Sequence, residues 1–140
     1  LAAAYTVFAN RGLRLEPVAF LRVEDANGRL LRRGKRGQRR VLPDWVAFNM
    51  TKMLEKVLTE GTGVRGNPGR PAAGKTGTTS GNTNAWFVGY TPEILAVVWL
   101  GNDDNSPLRA GGQVLGSGTA AELWGDFIRR ALTGVPVRGF

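Results

Sequence analysis

The stretch over residues 69–83, GRPAAGKTGTTSGNT, contains a lysine that suits two different kinds of chemistry. Residues 69–76 match G-x-x-x-x-G-K-[ST], the pattern of a loop whose backbone amides bind the phosphates of a nucleotide. Lys75 also opens K-T-G-T, a pattern that suits the lining of an acyl-transfer cleft. The two interpretations require different surroundings, so the neighbouring residues separate them.

The surroundings argue against nucleotide binding. A phosphate-binding loop follows a buried strand and leads directly into a helix whose N-terminus holds the phosphates. The preceding segment, GVRGNP, is not a buried strand, and the glycines and turn-forming residues after Thr76 do not begin a helix. We therefore predict that Lys75 does not bind a nucleotide.

The acyl-transfer interpretation requires only a strand edge that faces a cleft. Lys75 would supply a fixed positive charge there, while Thr76 and Thr78 would supply hydroxyl donors. Gly77 lets a substrate backbone lie close, and a backbone N–H beyond it can point at a developing oxyanion. On K-T-G alone, an ordinary strand with a surface lysine is the better explanation, because so short a motif often occurs by chance.

The composition of the 140 residues excludes several functional classes. Because there is no cysteine and no histidine, the chain has no thiol nucleophile, no Cys/His zinc site and no Ser–His pair. Apolar residues make up 42% of the chain, which indicates a globular protein, and the length of 140 residues allows one domain at most. The sequence begins without an initiator methionine, and we expect it to be a piece of a longer protein.

The net charge of +8 is concentrated in residues 29–40, RLLRRGKRGQRR, which contain seven basic residues and no acidic one. The favoured interpretation is a mobile, solvated surface loop with no catalytic role. The alternative is a noncatalytic interaction module that binds an anionic polymer or nucleic acid through this segment. No aromatic residue within the run could stack on a base, so nucleic acid is not the expected partner.

Hydrophobic periodicity predicts an α+β fold, a mostly antiparallel sheet with packed helices. Helices are predicted to end near residue 11 and to cover residues 44–59 and 119–132. Strands are predicted at 18–24, 72–79, 85–90 and 94–100, with a hairpin turn at Asn27-Gly28. The strand at 94–100 is apolar throughout, so we expect both of its faces to be covered.

The two longer helices each show an apolar stripe that predicts their buried side. In the first, the predicted buried residues are Val46, Met50, Met53, Leu54, Val57 and Leu58. In the second, they are Leu123, Trp124, Phe127, Ile128, Ala131 and Leu132.

Three segments, AGKTGTT, NAWFVGYTPE and VVWLGNDDNSP, together resemble the transpeptidase domain of class A penicillin-binding proteins. The resemblance extends to AYTVFANRG, to Glu60-Gly61-Thr62-Gly63 and to the final AELWGDFIRRAL, so it covers essentially the whole chain. It implies that residues 1–140 are the C-terminal portion of a single transpeptidase domain.

The resemblance implies a serine acyltransferase that cross-links peptidoglycan on the extracytoplasmic, periplasmic side of the bacterial inner membrane. In that family a serine attacks the penultimate D-Ala–D-Ala bond of a stem peptide, releases the terminal D-Ala and passes the acyl group to an amine. β-Lactams imitate this substrate. Neither a metal nor an organic cofactor is implied, and a membrane would be reached only through an N-terminal anchor upstream.

The same resemblance assigns roles to the K-T-G strand. It implies that Lys75 lines the cleft and tunes its electrostatics, and that Thr76 and Thr78 bind the terminal carboxylate of the substrate. The N–H of Thr78 would form half of the oxyanion hole. Gly77 and Thr79 complete the implied substrate-binding set.

Two motifs of that family, S-x-x-K and S-x-N, do not appear in their places. The serines are Ser80, Ser106 and Ser117, and none has a lysine three residues on. Arg109 follows Ser106 at that spacing, but an arginine stays protonated and cannot act as a base. Ser80-Gly81-Asn82 spells S-x-N, but it follows Lys75 too closely to form the opposite side of the cleft.

We therefore expect the chain to supply only one side of an active site. The nucleophile would belong to the missing upstream part of the domain, which would dock across the exposed sheet edge. The isolated chain is expected to be inactive. Asn84 is a further departure, because many relatives have an acidic residue there.

Overall fold

The computed structural model describes all 140 residues and contains three α-helices, two single-turn 3-10 helices and nine short strands. The helices are α1 (Ala2–Ala9), α2 (Asp44–Thr59) and α3 (Ser117–Ala131). The strands are β1 (Leu13–Leu15), β2 (Arg22–Glu24), β3 (Leu30–Arg33), β4 (Gln38–Arg40), β5 (Ala73–Thr78), β6 (Asn84–Tyr90), β7 (Leu95–Gly101), β8 (Arg109–Ala110) and β9 (Gln113–Val114). The predicted α+β fold is confirmed.

The central element is an antiparallel sheet in the order β5-β6-β7. Its register places Thr76 opposite Phe87, and Phe87 opposite Val98. Helix α3 packs on the face that bears Phe87, while α1 and the middle of α2, at Met50, Thr51 and Leu54, pack on the opposite face near Tyr90. The covering is uneven across the strands, because Ala85, Phe87 and Val88 of β6 are buried, whereas Lys75 and Thr78 of the neighbouring edge strand β5 are exposed.

The larger hydrophobic cluster lies between the sheet and α3. Phe87 and Trp124 are fully buried, with ring centroids 5.2 Å apart. Gly89 provides the space for this contact, because a Cβ there would lie 2.7 Å from the Trp124 ring. The aromatic pair therefore fixes α3 against β6.

The smaller cluster contains a buried polar pair that the sequence did not reveal. Thr51 of α2 and Tyr90 of β6 are both buried, and their hydroxyl oxygens are 2.8 Å apart. Each hydroxyl satisfies the other in an apolar environment formed by Leu54 and Ala73. Burial raises the pKa of Tyr90 to about 12.

The predicted bounds of α2 are confirmed, but the buried side of each long helix was partly wrong. Met53, Leu123 and Phe127 are 60%, 45% and 49% exposed, and Ala131 is exposed as well. Small residues occupy the closest contacts instead. In α2 the buried residues are Ala47, Thr51, Leu54 and Leu58, and in α3 they are Ala120, Ala121, Trp124, Gly125 and Ile128.

The prediction that both faces of residues 94–100 are covered was also wrong. Trp99 of β7 is 51% exposed. It lies in one cross-strand row with Gly77 and Trp86, four residues along the strands from the row of Ala73, Tyr90 and Leu95. The indole N–H of Trp99 donates to Asn84 Oδ1 at 2.8 Å, so the ring is held in place although it is exposed.

The basic segment is not a simple loop, as the charge run had suggested. It contains β3 and β4, which pair with β2 and β1 respectively, and its basic side chains are exposed. The predicted hairpin turn at Asn27-Gly28 is confirmed: the Asp25 carboxylate accepts from the backbone N–H of Asn27, and Gly28 has a φ of 78°. The predicted strand over 18–24 is shorter than expected, because only residues 22–24 pair.

The buried Tyr90 hydroxyl predicts an alkaline loss of stability. Its folded pKa of about 12 exceeds the ordinary value of 10.0, so the neutral form stabilises the fold below pH 10 and this contribution is lost as the pH rises through 12. Denaturant unfolding of the chain at several pH values should therefore show a falling free energy in this range. Tyr90→Phe should lower stability by about 1 kcal/mol at neutral pH and remove that alkaline component.

Tyr5→Phe is the matched comparison, because it also removes a tyrosine hydroxyl but leaves the Thr51–Tyr90 pair in place. Burial raises the pKa of Tyr5 as well, so this variant should remove the part of the alkaline decline that belongs to Tyr5 and keep the part that belongs to Tyr90. An unchanged alkaline decline in Tyr90→Phe would contradict the assignment.

Candidate active-site surface

Strand β5 presents the K-T-G residues at an open edge of the central sheet. One edge of β5 pairs with β6, and no strand pairs with the other edge. Gly74 is buried, Thr76 and Gly77 are half-buried, and Lys75 and Thr78 are exposed. The strand therefore begins in the core and ends as an accessible surface.

Lys75 and Thr76 are joined by hydrogen bonds. The Lys75 ammonium donates to the Thr76 carbonyl oxygen at 3.0 Å and, more weakly, to the Thr76 hydroxyl oxygen at 3.5 Å. No acidic side chain forms an ion pair with Lys75 in the structure. Its positive charge is therefore available to an anionic ligand.

Thr62 also belongs to this surface, although the sequence analysis assigned it no individual role. Its hydroxyl oxygen lies 2.5 Å from that of Thr76. Thr62 is in the turn that follows α2, within the quoted Glu60-Gly61-Thr62-Gly63 motif. The only sequence signal was the presence of this motif in the family resemblance, because a contact over fourteen positions is not visible in a local pattern.

Thr79 lies where the strand ends and its hydroxyl is used in the next turn. Thr79 Oγ1 accepts from the backbone N–H of Asn84 at 2.9 Å and lies 2.9 Å from the Thr83 hydroxyl oxygen. The turn includes Gly81 and Asn82, both with positive φ. The structure thus brings Lys75, Thr76, Gly77 and Thr78 together, and it places Thr79 at their boundary.

Asn84 connects β6 to neighbouring segments through both the oxygen and the nitrogen of its side-chain amide. Its Oδ1 accepts from the Trp99 indole, and its Nδ2 donates to Asn105 Oδ1 at 3.3 Å and to the Thr83 hydroxyl at 3.1 Å. A carboxylate could accept from Trp99 but could not donate to Asn105. The amide therefore fits this position, and the contacts here are hydrogen bonds rather than an ion pair.

None of the hydrogen bonds made by the serine side chains involves a lysine. Ser106 Oγ accepts from Asn102 Nδ2 at 3.0 Å, within the segment between β7 and β8. The Ser106 N–H donates to the Asp104 carboxylate, and bonds from Ser106 hold the pKa of Asp104 below its usual value. Ser80 lies in the turn after β5.

Comparison with known proteins now identifies the family. The family model for the penicillin binding protein transpeptidase domain matches residues 1–121. Penicillin-binding protein 1A of Clostridium acetobutylicum is 39% identical over 140 residues, which cover 99% of this chain and 17% of that protein. The chain belongs to the penicillin-binding protein transpeptidase family.

Solved structures agree in fold. Penicillin-binding protein 1A from Haemophilus influenzae has a TM-score of 0.83 at 24% identity, over 99% of this chain and 27% of that one. The imipenem acyl-enzyme complex of penicillin-binding protein A from M. tuberculosis has a TM-score of 0.69 at 25% identity, over 94% and 30%. The chain spans less than a third of the length of each of these proteins. No helix is long and apolar enough to cross a membrane.

The two glycines that flank Lys75 predict different effects of an added methyl group. A Cβ at Gly74 would lie 2.5 Å from Phe87 Cζ and 2.8 Å from the Val88 carbonyl oxygen, whereas one at Gly77 would meet only Trp86 Cβ, at 3.4 Å. We expect Gly74→Ala to lower the free energy of unfolding by about 1–3 kcal/mol. Gly77→Ala should change it by less than about 0.5 kcal/mol.

Chemical denaturation of both variants beside the unmodified chain measures this difference. If Gly77→Ala were as destabilising as Gly74→Ala, the backbone at 77 would be constrained by the fold rather than left open for a ligand.

Proposed function

We propose that this chain supplies the K-T-G side of the active site of a peptidoglycan D,D-transpeptidase. The observation that carries the proposal is the placement of Lys75, Thr76, Gly77 and Thr78 at an unpaired strand edge, in a chain that belongs to the transpeptidase family. The nucleophilic serine and its lysine are contributed by a segment outside these 140 residues. The two parts meet across the open edge of β5.

The residues of β5 act on an acyl-transfer reaction in three ways. The Lys75 ammonium and the Thr76 and Thr78 hydroxyls bind the terminal carboxylate of the substrate by charge-assisted hydrogen bonds. Gly77 allows the substrate backbone to lie against the strand. The Thr78 N–H donates to the oxygen that becomes negative when the serine attacks the carbonyl carbon.

The substrate is then a stem peptide that ends in D-Ala–D-Ala, and β-lactams are its mimics. The serine oxygen forms an ester with the acyl group as the peptide bond to the terminal D-Ala breaks and D-Ala leaves with a proton. The amine of a second stem peptide then attacks the ester carbonyl, so that a new peptide bond forms, the ester bond breaks and the serine regains its proton. No metal or organic cofactor takes part. Because peptidoglycan lies outside the inner membrane, the proposed location is its periplasmic face.

Replacement of Lys75 tests the electrostatic part of the proposal. In a complete domain that joins this chain to an S-x-x-K segment, Lys75→Ala should lower the second-order rate constant of acylation by a labelled penicillin at least about tenfold. Lys52→Ala, which removes an exposed lysine from α2, is the matched control and should acylate normally. Normal acylation of a folded Lys75→Ala domain would remove Lys75 from the site.

The isolated chain tests the division of the active site. Acyl transfer needs a nucleophile activated by a nearby base, and no serine here has a lysine partner. Intact mass spectrometry should therefore show no penicillin adduct on the chain alone, and an adduct on the added segment when that segment contains S-x-x-K. A stoichiometric adduct on Ser80, Ser106 or Ser117 would place the nucleophile inside this chain instead.

A second candidate function rests on the arginines of the paired strands. Arg14 lies directly opposite Arg39, and Arg22 directly opposite Arg33. Like charges that face each other across a strand pair are destabilising, and an anionic polymer would relieve this repulsion. Such binding is separate from acyl transfer, because these strands do not pair with β5.

Neutralisation of the basic segment separates the two functions. Replacement of six residues by glutamine should abolish salt-dependent binding to a polyanion such as heparin and leave penicillin acylation of the complete domain unchanged. The six residues are Arg32, Arg33, Lys35, Arg36, Arg39 and Arg40. A large loss of acylation would show that the segment contributes to the cleft.

A further inference from the structure

Two groups that can donate a hydrogen bond lie close to the hydroxyl of Thr76. Thr62 Oγ1 lies 2.5 Å away, and Lys75 Nζ lies 3.5 Å away. A hydroxyl has two acceptor lone pairs and one proton to donate. The ammonium can only donate, so its weak bond at 3.5 Å engages one lone pair of the Thr76 oxygen. The direction of the bond to Thr62 then decides where the Thr76 proton points.

The position of Thr62 is fixed by the core rather than by Thr76. The Gly63 N–H donates to the Val57 carbonyl oxygen at 2.9 Å, and the turn closes directly on the end of α2. A Cβ at Gly63 would lie 2.9 Å from the Phe87 ring, and one at Gly61 would lie 2.9 Å from Val57 Cα. The glycines on both sides of Thr62 therefore hold the turn tightly against α2 and β6.

We propose that Thr62 is a positioning residue that selects substrates with a free carboxylate. The Thr62 hydroxyl donates to Thr76 Oγ1 and occupies its second lone pair. The only further hydrogen bond that the Thr76 hydroxyl can then make is one in which it donates its own proton. That proton points outward and is donated to the terminal carboxylate of the substrate. The inference rests on the proposed function, since it assigns a specificity role within the same site.

The arrangement favours an anion for an electrostatic reason. When both lone pairs of Thr76 are occupied, the hydroxyl cannot accept from a neutral amide or an alcohol at the end of a ligand. A carboxylate, which only accepts, matches both Thr76 and Lys75. A ligand in which the carboxylate is esterified retains poorer acceptor oxygens and loses the charge.

The test measures the binding and chemical steps of acylation separately. The protein is the complete domain that contains this chain and its S-x-x-K segment, and the ligands are benzylpenicillin and its methyl ester. Thr62→Val removes the hydroxyl at nearly constant shape. We expect it to weaken the pre-acylation binding of benzylpenicillin roughly three- to tenfold, the effect of one hydrogen bond. The acylation rate constant at saturation should stay the same, and the binding of the ester, whose oxygens are poorer acceptors, should fall by a smaller factor.

Three further variants keep the test decisive. Thr62→Ser retains the hydroxyl and should restore binding of benzylpenicillin, and Thr62→Ala provides a second hydroxyl-free variant if valine disturbs the turn. Thr59→Val is the matched control, because the Thr59 hydroxyl bonds only to the Glu55 carbonyl oxygen of its own helix. It should bind both ligands normally.

The outcomes distinguish this inference from the proposed function. If the unmodified domain forms an acyl-enzyme but Thr62→Val and Thr62→Ala bind benzylpenicillin normally, the positioning role is wrong and the transpeptidase proposal stands. An equal loss for benzylpenicillin and its ester would also overturn the role, since it would indicate a general disturbance. If the unmodified domain forms no acyl-enzyme, the proposed function fails and the inference fails with it.

Discussion

The packing of one aromatic ring determines the geometry of the whole candidate site. Phe87 is fully buried, and three glycines leave room for its ring: a Cβ at Gly63, Gly74 or Gly89 would lie within 2.9 Å of a Phe87 ring atom. These glycines belong to the turn after α2, to the K-T-G strand and to β6. Because close-packed interiors do not absorb an added methyl group easily, the ring ties the three segments together. The contact between Thr62 and Thr76 follows from this arrangement.

The sequence predicted the elements with a strong local signal and missed the features that depend on distant contacts. The bounds of α2 and the strands β5 to β7 were predicted nearly correctly, since their periodicity and flanking turns are local. Which apolar residues of a helix are buried was predicted less well: Met53 and Phe127 lie outside, while Thr51 is buried against Tyr90. Which side chains are buried depends on the space available between the helix and the sheet, and a hydropathy pattern does not contain that information. Likewise, the pairing of the basic segment depends on β1 and β2, which lie elsewhere in the sequence.

The strand that carries the candidate site was predictable from the sequence, since K-T-G and its flanking residues indicated a strand at 72–79 and β5 covers Ala73–Thr78. The roles of its residues belong to the proposed function. The structure adds that the strand leaves the core at Gly74 and reaches solvent at Lys75. An exposed ammonium interacts weakly with an anion, because water and salt screen its charge. The same charge has a stronger effect once a second surface excludes water from the cleft. The chain thus holds a charged group whose contribution depends on what lies opposite.

Under the proposed function, the active site is shared between this chain and a second segment, and that division places a particular demand on each of them. When the serine and its base come from outside, nothing on that side can correct a misplaced hydroxyl on β5 before the substrate binds. The hydroxyls and the ammonium must therefore be positioned by contacts within this chain. The bonds of Lys75 to the Thr76 carbonyl oxygen and of Thr62 to the Thr76 hydroxyl meet that demand, and both depend on a backbone that the Phe87 ring holds in place. Preorganisation of this kind is what electrostatic catalysis requires, since donors that already point at the developing charge need no reorganisation during the reaction. By this argument the buried glycines around Phe87 matter to the chemistry as much as to the stability of the fold, although none of them would touch the substrate.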